Sequence, residues 1–381
     1  MSKSTITIEE IACHFRDLED PRSSINQLHP FVSVVIISMM AILAGANGPT
    51  GIAEWARIKQ AFLESVLDLP RGIPGKDVFR RVLSLINPAA FQACFTSWLD
   101  SMRTTAANNS NIKQPILAVD GKTLRRSHDR KSGLKAMHSV RVWASEFGLS
   151  LGQVACEEKS NELTAIPELL KLVDITGAII TIDAMGTQKA IAKEIIQQKA
   201  DYVLALKGNH EILHEAVKEH LDKRLADGTA RPHTTTETKH GRYEVRRYVH
   251  VPVPAGLPQV ELWKNLTSIG MAITEVTRDG ITTTERRYFI SSLDADSKRF
   301  GHCVRSHWGI ENSCHWTLDM TFREDESRIR GGRMRENFAW LNRFTLSLLK
   351  QHPGKKSIVG KRRGCGWDEK FMLEVLTGQV T

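Results

Sequence analysis

Three acidic residues, Asp120, Asp183 and Glu311, stand where carboxylates could grip divalent cations against a phosphodiester. Asp120 closes the apolar run Pro115-Ile-Leu-Ala-Val-Asp120, and Asp183 closes Ala178-Ile-Ile-Thr-Ile-Asp183; Glu311 lies in the helix-like stretch HWGIENSCHW. Two strand ends and a later helix can bring such groups together. A pair of hard cations about 3.5–4 Å apart stabilises both the attacking and the leaving oxygen of a phosphoryl displacement. Magnesium suits a site of few carboxylates, retained waters and phosphate oxygens. Each acid alone also has a plainer reading. An aspartate after an apolar run is commonly a turn residue or a helix N-cap, and a lone glutamate on a helix commonly faces solvent.

The spacing of His307, Glu311 and His315 invites a zinc reading, but histidines eight apart on a helix lie about 12 Å apart along its axis, too far to share one ion. Basic residues are the better company for the acids. Lys122, Arg125 and Arg126 follow Asp120, and Lys207 and Asn209 follow the apolar run Asp201–Leu206. His240, Arg242, Arg246 and Arg247 are interleaved with Tyr243 and Tyr248, a pattern that suits backbone contact and base stacking. Arg323, Arg328, Arg330, Arg333 and Arg335 form the densest cluster, and Arg305, His307 and Trp308 precede Glu311. A solvated strand face, a polar turn or a core tryptophan would read similarly at several of these positions.

The elements that must position these groups change character along the 381 residues. Residues 1–110 read as mostly helical: an amphipathic stretch at Gly51–Leu67, then helices at Asp77–Leu85 and Pro88–Met102, with Thr104–Gln114 as a polar linker. Strands follow, with Ala136–Ala144 and Leu149–Cys156 completing an antiparallel meander after the Asp120 strand. A helix at Leu163–Val173, the Asp183 strand, a helix at Thr187–Lys199 and the Asp201 strand alternate next. His210–Asp227 reads as helix, about 233–293 as strands turning at Arg278-Asp-Gly280, and helix resumes near Asp296. Gln351–Arg363 reads as a basic tail with Pro and Gly, followed by a short helix at Glu369–Leu376. A meander followed by alternating helix and strand matches an α/β, ribonuclease-H-like core.

Composition narrows the class. Hydrophobic content of 41% and charged content of 25% are ordinary for a soluble globular protein, and the net charge of +9 favours a polyanionic partner, most simply nucleic acid. Six cysteines without a CxxC pair argue against a disulfide framework or closed zinc site and fit a reducing cytosol. The start, MSKSTITIEE, lacks the basic-then-apolar form of a signal peptide. The apolar run Phe31–Ala46 would span about 24 Å as a helix, short of the roughly 30 Å hydrocarbon core, and reads as a buried core helix.

Taken in order, DPR at 20–22, IAEWAR at 52–57, VDGKTLRRS at 119–127, TIDAMGTQ at 181–188, DYVLALKGNH at 201–210, HGRYEVR at 240–246 and RSHWGIENSCHWTLDMTFRED at 305–325 resemble the DDE-type insertion-sequence transposases, in particular the H-repeat-associated, ISAs group. The resemblance covers nearly the whole chain. It implies a helical transposase-associated region at 1–110, a ribonuclease-H-like core at 111–232 and 295–350, a β-rich insertion at 233–294 and a basic C-terminal tail at 351–381. It implies Asp120, Asp183 and Glu311 as catalytic and metal-holding residues, with two Mg2+ ions for which Mn2+ can substitute. The partners implied are double-stranded DNA, at element ends and target, and a second copy of the chain, with no membrane; the location implied is cytoplasmic and nucleoid-associated. DNA contacts are expected from Lys122, Arg125, Arg126, Lys207, Asn209, His240, Arg242, Arg246, Arg305, His307, Trp308, Arg323, Arg328, Arg330 and Arg333. In the Tyr-x-x-Arg-x-x-x-Glu-x6-Lys signature of related transposases, this chain has Val304, His307 and Leu318 in place of the tyrosine, arginine and lysine. That departure keeps a second expectation open: a domesticated or inactive relative that binds DNA without cutting it. A nuclease of RNA–DNA hybrids is a third, which the β insertion and helical N-terminal region disfavour.

Overall fold

Proline and glycine positions set most of the helix boundaries before the first strand. The structure, a computed structural model, describes residues 8–108, 114–128, 133, 135–156, 162–239 and 241–378. Helices α1 (Ile8–Cys13), α2 (Phe31–Leu43), α3 (Pro49–Ile58), α4 (Gln60–Val66), α5 (Lys76–Leu85) and α6 (Pro88–Asn108) lead the chain. Pro49 and Pro88 open their helices, where a missing N–H costs nothing. The stretch Gly51–Leu67, expected as one amphipathic helix, breaks at Lys59 into α3 and α4. The expected linker is also shortened: α6 runs on through Thr104 to Asn108, and residues 109–113 lie outside those described. Helix α2 buries twelve of its thirteen residues, as its unbroken apolar sequence requires, and among the described residues no single helix is long and apolar enough to cross a membrane.

The expected meander is present as β1 (Ile116–Thr123), β2 (His138–Ala144) and β3 (Leu149–Cys156), antiparallel in sequence. After α7 (Glu162–Leu172), β4 (Ile179–Ile182) lies parallel to β1, and after α8 (Lys189–Gln197), β5 (Asp201–Leu206) lies parallel to β4. Both parallel strands are continuous apolar runs, the pattern of strands covered on both faces. Helix α9 (Glu211–Ala226) then leads to β6 (His233–Lys239), β7 (Arg242–Pro252), β8 (Ser268–Arg278) and β9 (Ile281–Ser291). These four strands extend the same sheet, because β9 pairs antiparallel with β5, and the order across nine strands is β3-β2-β1-β4-β5-β9-β8-β7-β6. The fold is thus mixed α/β, a large sheet with a helical N-terminal region.

Helix α10 (Ser297–Gly309) is capped by Asp296, whose side chain accepts from the backbone N–H groups of Lys298 and Arg299. It runs without a break into a π-helical segment, Ile310–His315, and then α11 (Trp316–Met320). Helix α12 (Gly332–Gln351) is the central strut: its buried residues reach from Met334 to Leu349. Phe344 packs at a tilt against Phe95 and Trp98 of α6, and Trp340 donates to Gln92 at 2.8 Å, so the N-terminal helices and α12 share one core with the sheet. The expected basic tail after Gln351 is instead partly internal. Helix α13 (Ile358–Trp367) buries Lys361 and Arg362, whose charges are spent on backbone carbonyls, and α14 (Glu369–Thr377) follows, capped by Asp368.

Candidate active site

The register of the parallel pair decides where the first two acids meet. Val119 of β1 lies beside Ile182, the last residue of β4, so Asp120 and Asp183 come side by side where the parallel pairing ends; β1 itself runs on to Thr123, paired with β2. Asp120 Oδ1 accepts from the Gly121 N–H at 2.8 Å. Burial and the facing charge of Asp183 push its carboxyl up to about 7. Asp183 is more exposed and accepts from the N–H groups of Met185 (3.1 Å) and Gly186 (3.2 Å), so it is also the turn residue that the plainer reading anticipated.

Glu311 comes from the π-helical turn. A π turn carries an extra residue and is frequent at functional sites, because it re-aims the side chains that follow it. Here Cys314 and His315 turn inward while Glu311 stays exposed. His315 Nδ1 reaches Asp120 Oδ2 at 3.4 Å, which brings this helix against β1. Burial, with Arg141 and Lys122 nearby, holds the His315 imidazole neutral, well below its usual range. Glu311 lines a cleft of about 460 Å³ with Gly121, Lys122, Arg125, Trp316 and Asp319, whereas Asp183 lines a cavity of about 160 Å³ with Thr181, Lys207, Arg287, His307 and Trp308. Asp120 precedes Gly121 and lies 3.4 Å from His315, both of which line the cleft of Glu311. Among the described residues, no three His, Cys, Asp or Glu side chains are grouped to hold a metal ion. The donor chemistry nevertheless fits a divalent cation: two adjacent carboxylates, one of them raised by burial and by the charge of the other, are what a cation would relieve.

Groups that sequence reasoning missed surround Asp120. His138 shares a hydrogen bond of 2.5 Å with Glu162 and one of 2.7 Å with Thr123, and this buried pair lies directly on Gly121. A Cβ at Gly121 would meet Glu162 Oε1 at 2.3 Å and His138 Nε2 at 2.7 Å, so only glycine fits there. Arg141, the β2 residue opposite Asp120, is buried with Arg343 around Glu324, at 3.6 Å and 3.3 Å. Burial alone would raise the Glu324 carboxyl, but Arg343 and Arg141 outweigh it and hold it below its ordinary range. The signal was a cation inside the apolar strand HSVRVWA, which must be paired to be buried.

The expected DNA-contacting residues divide by environment. Lys122 is buried and paired with Asp319, and Arg246 is buried and paired with Glu237 and Glu244, so neither presents a free charge. Asn209 donates to the Ala184 carbonyl at 2.8 Å, bracing the loop after Asp183. His307 shares a hydrogen bond of 2.9 Å with Thr181, and burial lowers its pKa to about 4, so it is a neutral strut against β4. Trp308 lies beneath the Arg287 guanidinium at 4.4 Å. Arg242 pairs with Glu244 at 2.5 Å and Arg305 with Glu237 at 3.4 Å, Arg125 with Asp325 at 3.4 Å, and Arg323 with Glu326. Arg126, Lys207, Arg328, Arg330 and Arg333 are exposed. His240 lies outside the described residues.

Known families and proteins match this chain in sequence. The Transposase DDE domain family matches residues 111–349, and the DDE_Tnp_1-associated family matches residues 12–99. "H repeat-associated putative transposase YhhI" of Escherichia coli K12 is 33% identical over 97% of this chain and 98% of its own length. "Putative transposase YncI" of Escherichia coli O157:H7 is 35% identical over 97% and 95%. A protein of Xanthobacter autotrophicus, described as uncharacterized in the dhlA 3′ region, is 38% identical over 74% and 94%. With Asp120 and Asp183 side by side inside the matched region, the chain belongs to the DDE-domain transposase family, beside the H repeat-associated proteins.

Proposed function

We propose that this transposase cuts the ends of an insertion element and joins the freed 3′ hydroxyls to target DNA, with Asp120, Asp183 and Glu311 holding two Mg2+ ions. The observation that carries the reading is that Asp120 and Asp183 lie side by side just past the parallel pairing of β1 and β4, with Glu311 lining the cleft shared with Gly121. The strand order β3-β2-β1-β4-β5, in which β2 alone runs antiparallel to the other four, supports a ribonuclease-H-like core. When bound, the cations supply Lewis acidity toward the attacking and leaving oxygens.

The residues of the chain do the remaining work. Gly121 N–H and His315 orient the Asp120 carboxylate, and the Met185 and Gly186 N–H groups orient that of Asp183. Neutral His307 and Thr181 hold the helix that carries Glu311 against β4. Exposed Arg126, Lys207, Arg328 and Arg330 attract the backbone of double-stranded DNA, in a cytoplasmic, nucleoid-associated setting and with a second copy pairing the two ends. A DNA-binding relative without cleavage is the second reading. It is favoured by the separation of Glu311 and Asp183 into two cavities and by Val304 and Leu318 at signature positions.

The deciding experiment supplies the purified chain with DNA carrying the element's own termini and Mg2+, then scores nicking and strand transfer for wild type, Asp120→Asn and Glu311→Gln. Wild-type cleavage lost in both variants supports the first reading. Wild-type binding without any nicking supports the second, and nicking that survives Asp120→Asn overturns the assignment of that residue.

A further inference from the structure

The arginines of this chain fall into two populations, and only one is free to meet phosphate. On the strands β6–β9 and the helices beside them, the cations already have carboxylates. Arg247 is bidentate to Glu275 at 2.6 and 3.1 Å, Arg286 pairs with Asp222 at 2.9 Å and Arg287 with Glu285 at 2.9 Å. Arg242, Arg246 and Arg305 share Glu237 and Glu244 in the same way. Such a surface gains little from a polyanion, since each guanidinium must leave an acid that would itself face the phosphates.

The opposite holds where α5 meets the start of α12. Arg333 Nη1 donates to the Leu85 carbonyl at 3.1 Å, and Asn337 Nδ2 donates to the carbonyls of Leu83 (2.9 Å) and Ile86 (3.1 Å). These bonds join the end of α5 to the first turns of α12, and Arg81 stands one turn before Leu85 on α5. Arg328 and Arg330 lie on the segment that reaches α12 from Asp325, whose partner Arg125 lines the cleft of Glu311. Arg81, Arg328 and Arg330 are exposed, and among the described residues none has a carboxylate partner.

We infer that Arg81, Arg328 and Arg330 form one ridge, running from the catalytic cleft onto the N-terminal helical region, that binds the phosphate backbone of duplex DNA, and that the ion-paired β6–β9 surface does not. The ridge gives the transposase-associated region a role as the continuation of the DNA path. The inference rests on the DNA-acting reading above.

The test measures binding of the full-length chain to a fluorescent 40-base-pair duplex of arbitrary sequence, by anisotropy across a salt series without Mg2+. Each arginine that displaces a counterion contributes about 0.9 to the slope of log K against log salt. Arg81→Gln, Arg328→Gln and Arg330→Gln should each lower that slope by about 0.9, and the triple variant by about 2.7. Arg247→Gln should leave it unchanged. Lysine at all three positions should restore the wild-type slope, since the backbone reads charge rather than fork geometry. Because each position is also read singly, a misfolded triple variant does not shield the inference. A triple variant with the wild-type slope, or an equal loss in Arg247→Gln, overturns the ridge while leaving the DNA-acting reading intact. A wild-type protein that binds no duplex overturns both.

Discussion

Asp120→Asn should separate what the site does from what it costs the fold. A carboxyl held near pH 7 instead of its ordinary 3.8 penalises the folded, ionised state, by about 4 kcal/mol if the whole difference is expressed. Because the Asp120 side chain keeps 29% of its exposure, solvent trims this, and on the order of 2–4 kcal/mol is the expected range. The sign follows from proton uptake: between about pH 4 and 7 the folded chain holds the Asp120 proton more tightly than the unfolded one, so stability is lost as pH rises through that window. Asparagine keeps the shape and the acceptor for Gly121 N–H but cannot ionise. Thermal melts in the absence of divalent ions should therefore show Asp120→Asn close to wild type at pH 4 and several degrees above it at pH 8. Adding Mg2+ at pH 8 should raise the wild-type melting temperature and close much of that gap, since a ligand that binds only the folded state stabilises it. Melting curves whose separation does not widen with pH would refute the buried setting of Asp120 beside Asp183.

Glu311→Gln, at an exposed position, should change stability by less than about 0.5 kcal/mol while removing Mg2+-dependent cleavage, measured by melting and plasmid nicking side by side. Gly121→Ala must push Glu162 and His138 away from β1; a loss of about 1–3 kcal/mol in denaturant titrations and a steep fall in cleavage rate are expected. Glu324→Gln strips the buried charge shared by Arg141 and Arg343 and should cost about 3–5 kcal/mol, whereas Arg323→Gln, on the surface, should cost under about 1 kcal/mol. Phe344→Ala, in the cluster with Phe95 and Trp98, should lower stability by about 3–5 kcal/mol and expose the N-terminal helices to limited proteolysis.

Period and punctuation carried most of the fold. The runs ending at Asp120 and Asp183 could be read as strands because both are continuous and apolar, and Gly148 and Gly280 marked the turns between antiparallel neighbours. What periodicity could not convey was pairing between distant segments: that β9 docks on β5, or that α12 shares its core with α6, depends on tertiary packing alone. In the site, residue type identified the acids but not the state of their surroundings. Lys122 looked like a free cation because its partner, Asp319, is brought to it only by the fold, and Arg246 because Glu237 reaches it across the β6–β7 pair. The His138–Glu162 pair escaped notice for the same reason, being 24 positions apart in the chain.

Arg362 ties three distant parts of the chain at a single point. Its guanidinium donates to the Ile42 carbonyl at 3.1 Å, to that of Thr321 at 2.6 Å and to that of Ala46 at 3.4 Å, joining α2, the segment just past α11 and α13. The helix bearing Glu311 is therefore secured by a residue synthesised some fifty positions after it. A nascent polypeptide still on the ribosome lacks that anchor, so a frameshift or premature stop before Arg362 leaves the arginines proposed to bind DNA joined to an unanchored glutamate. Such a truncated product would compete for the same DNA without cutting it.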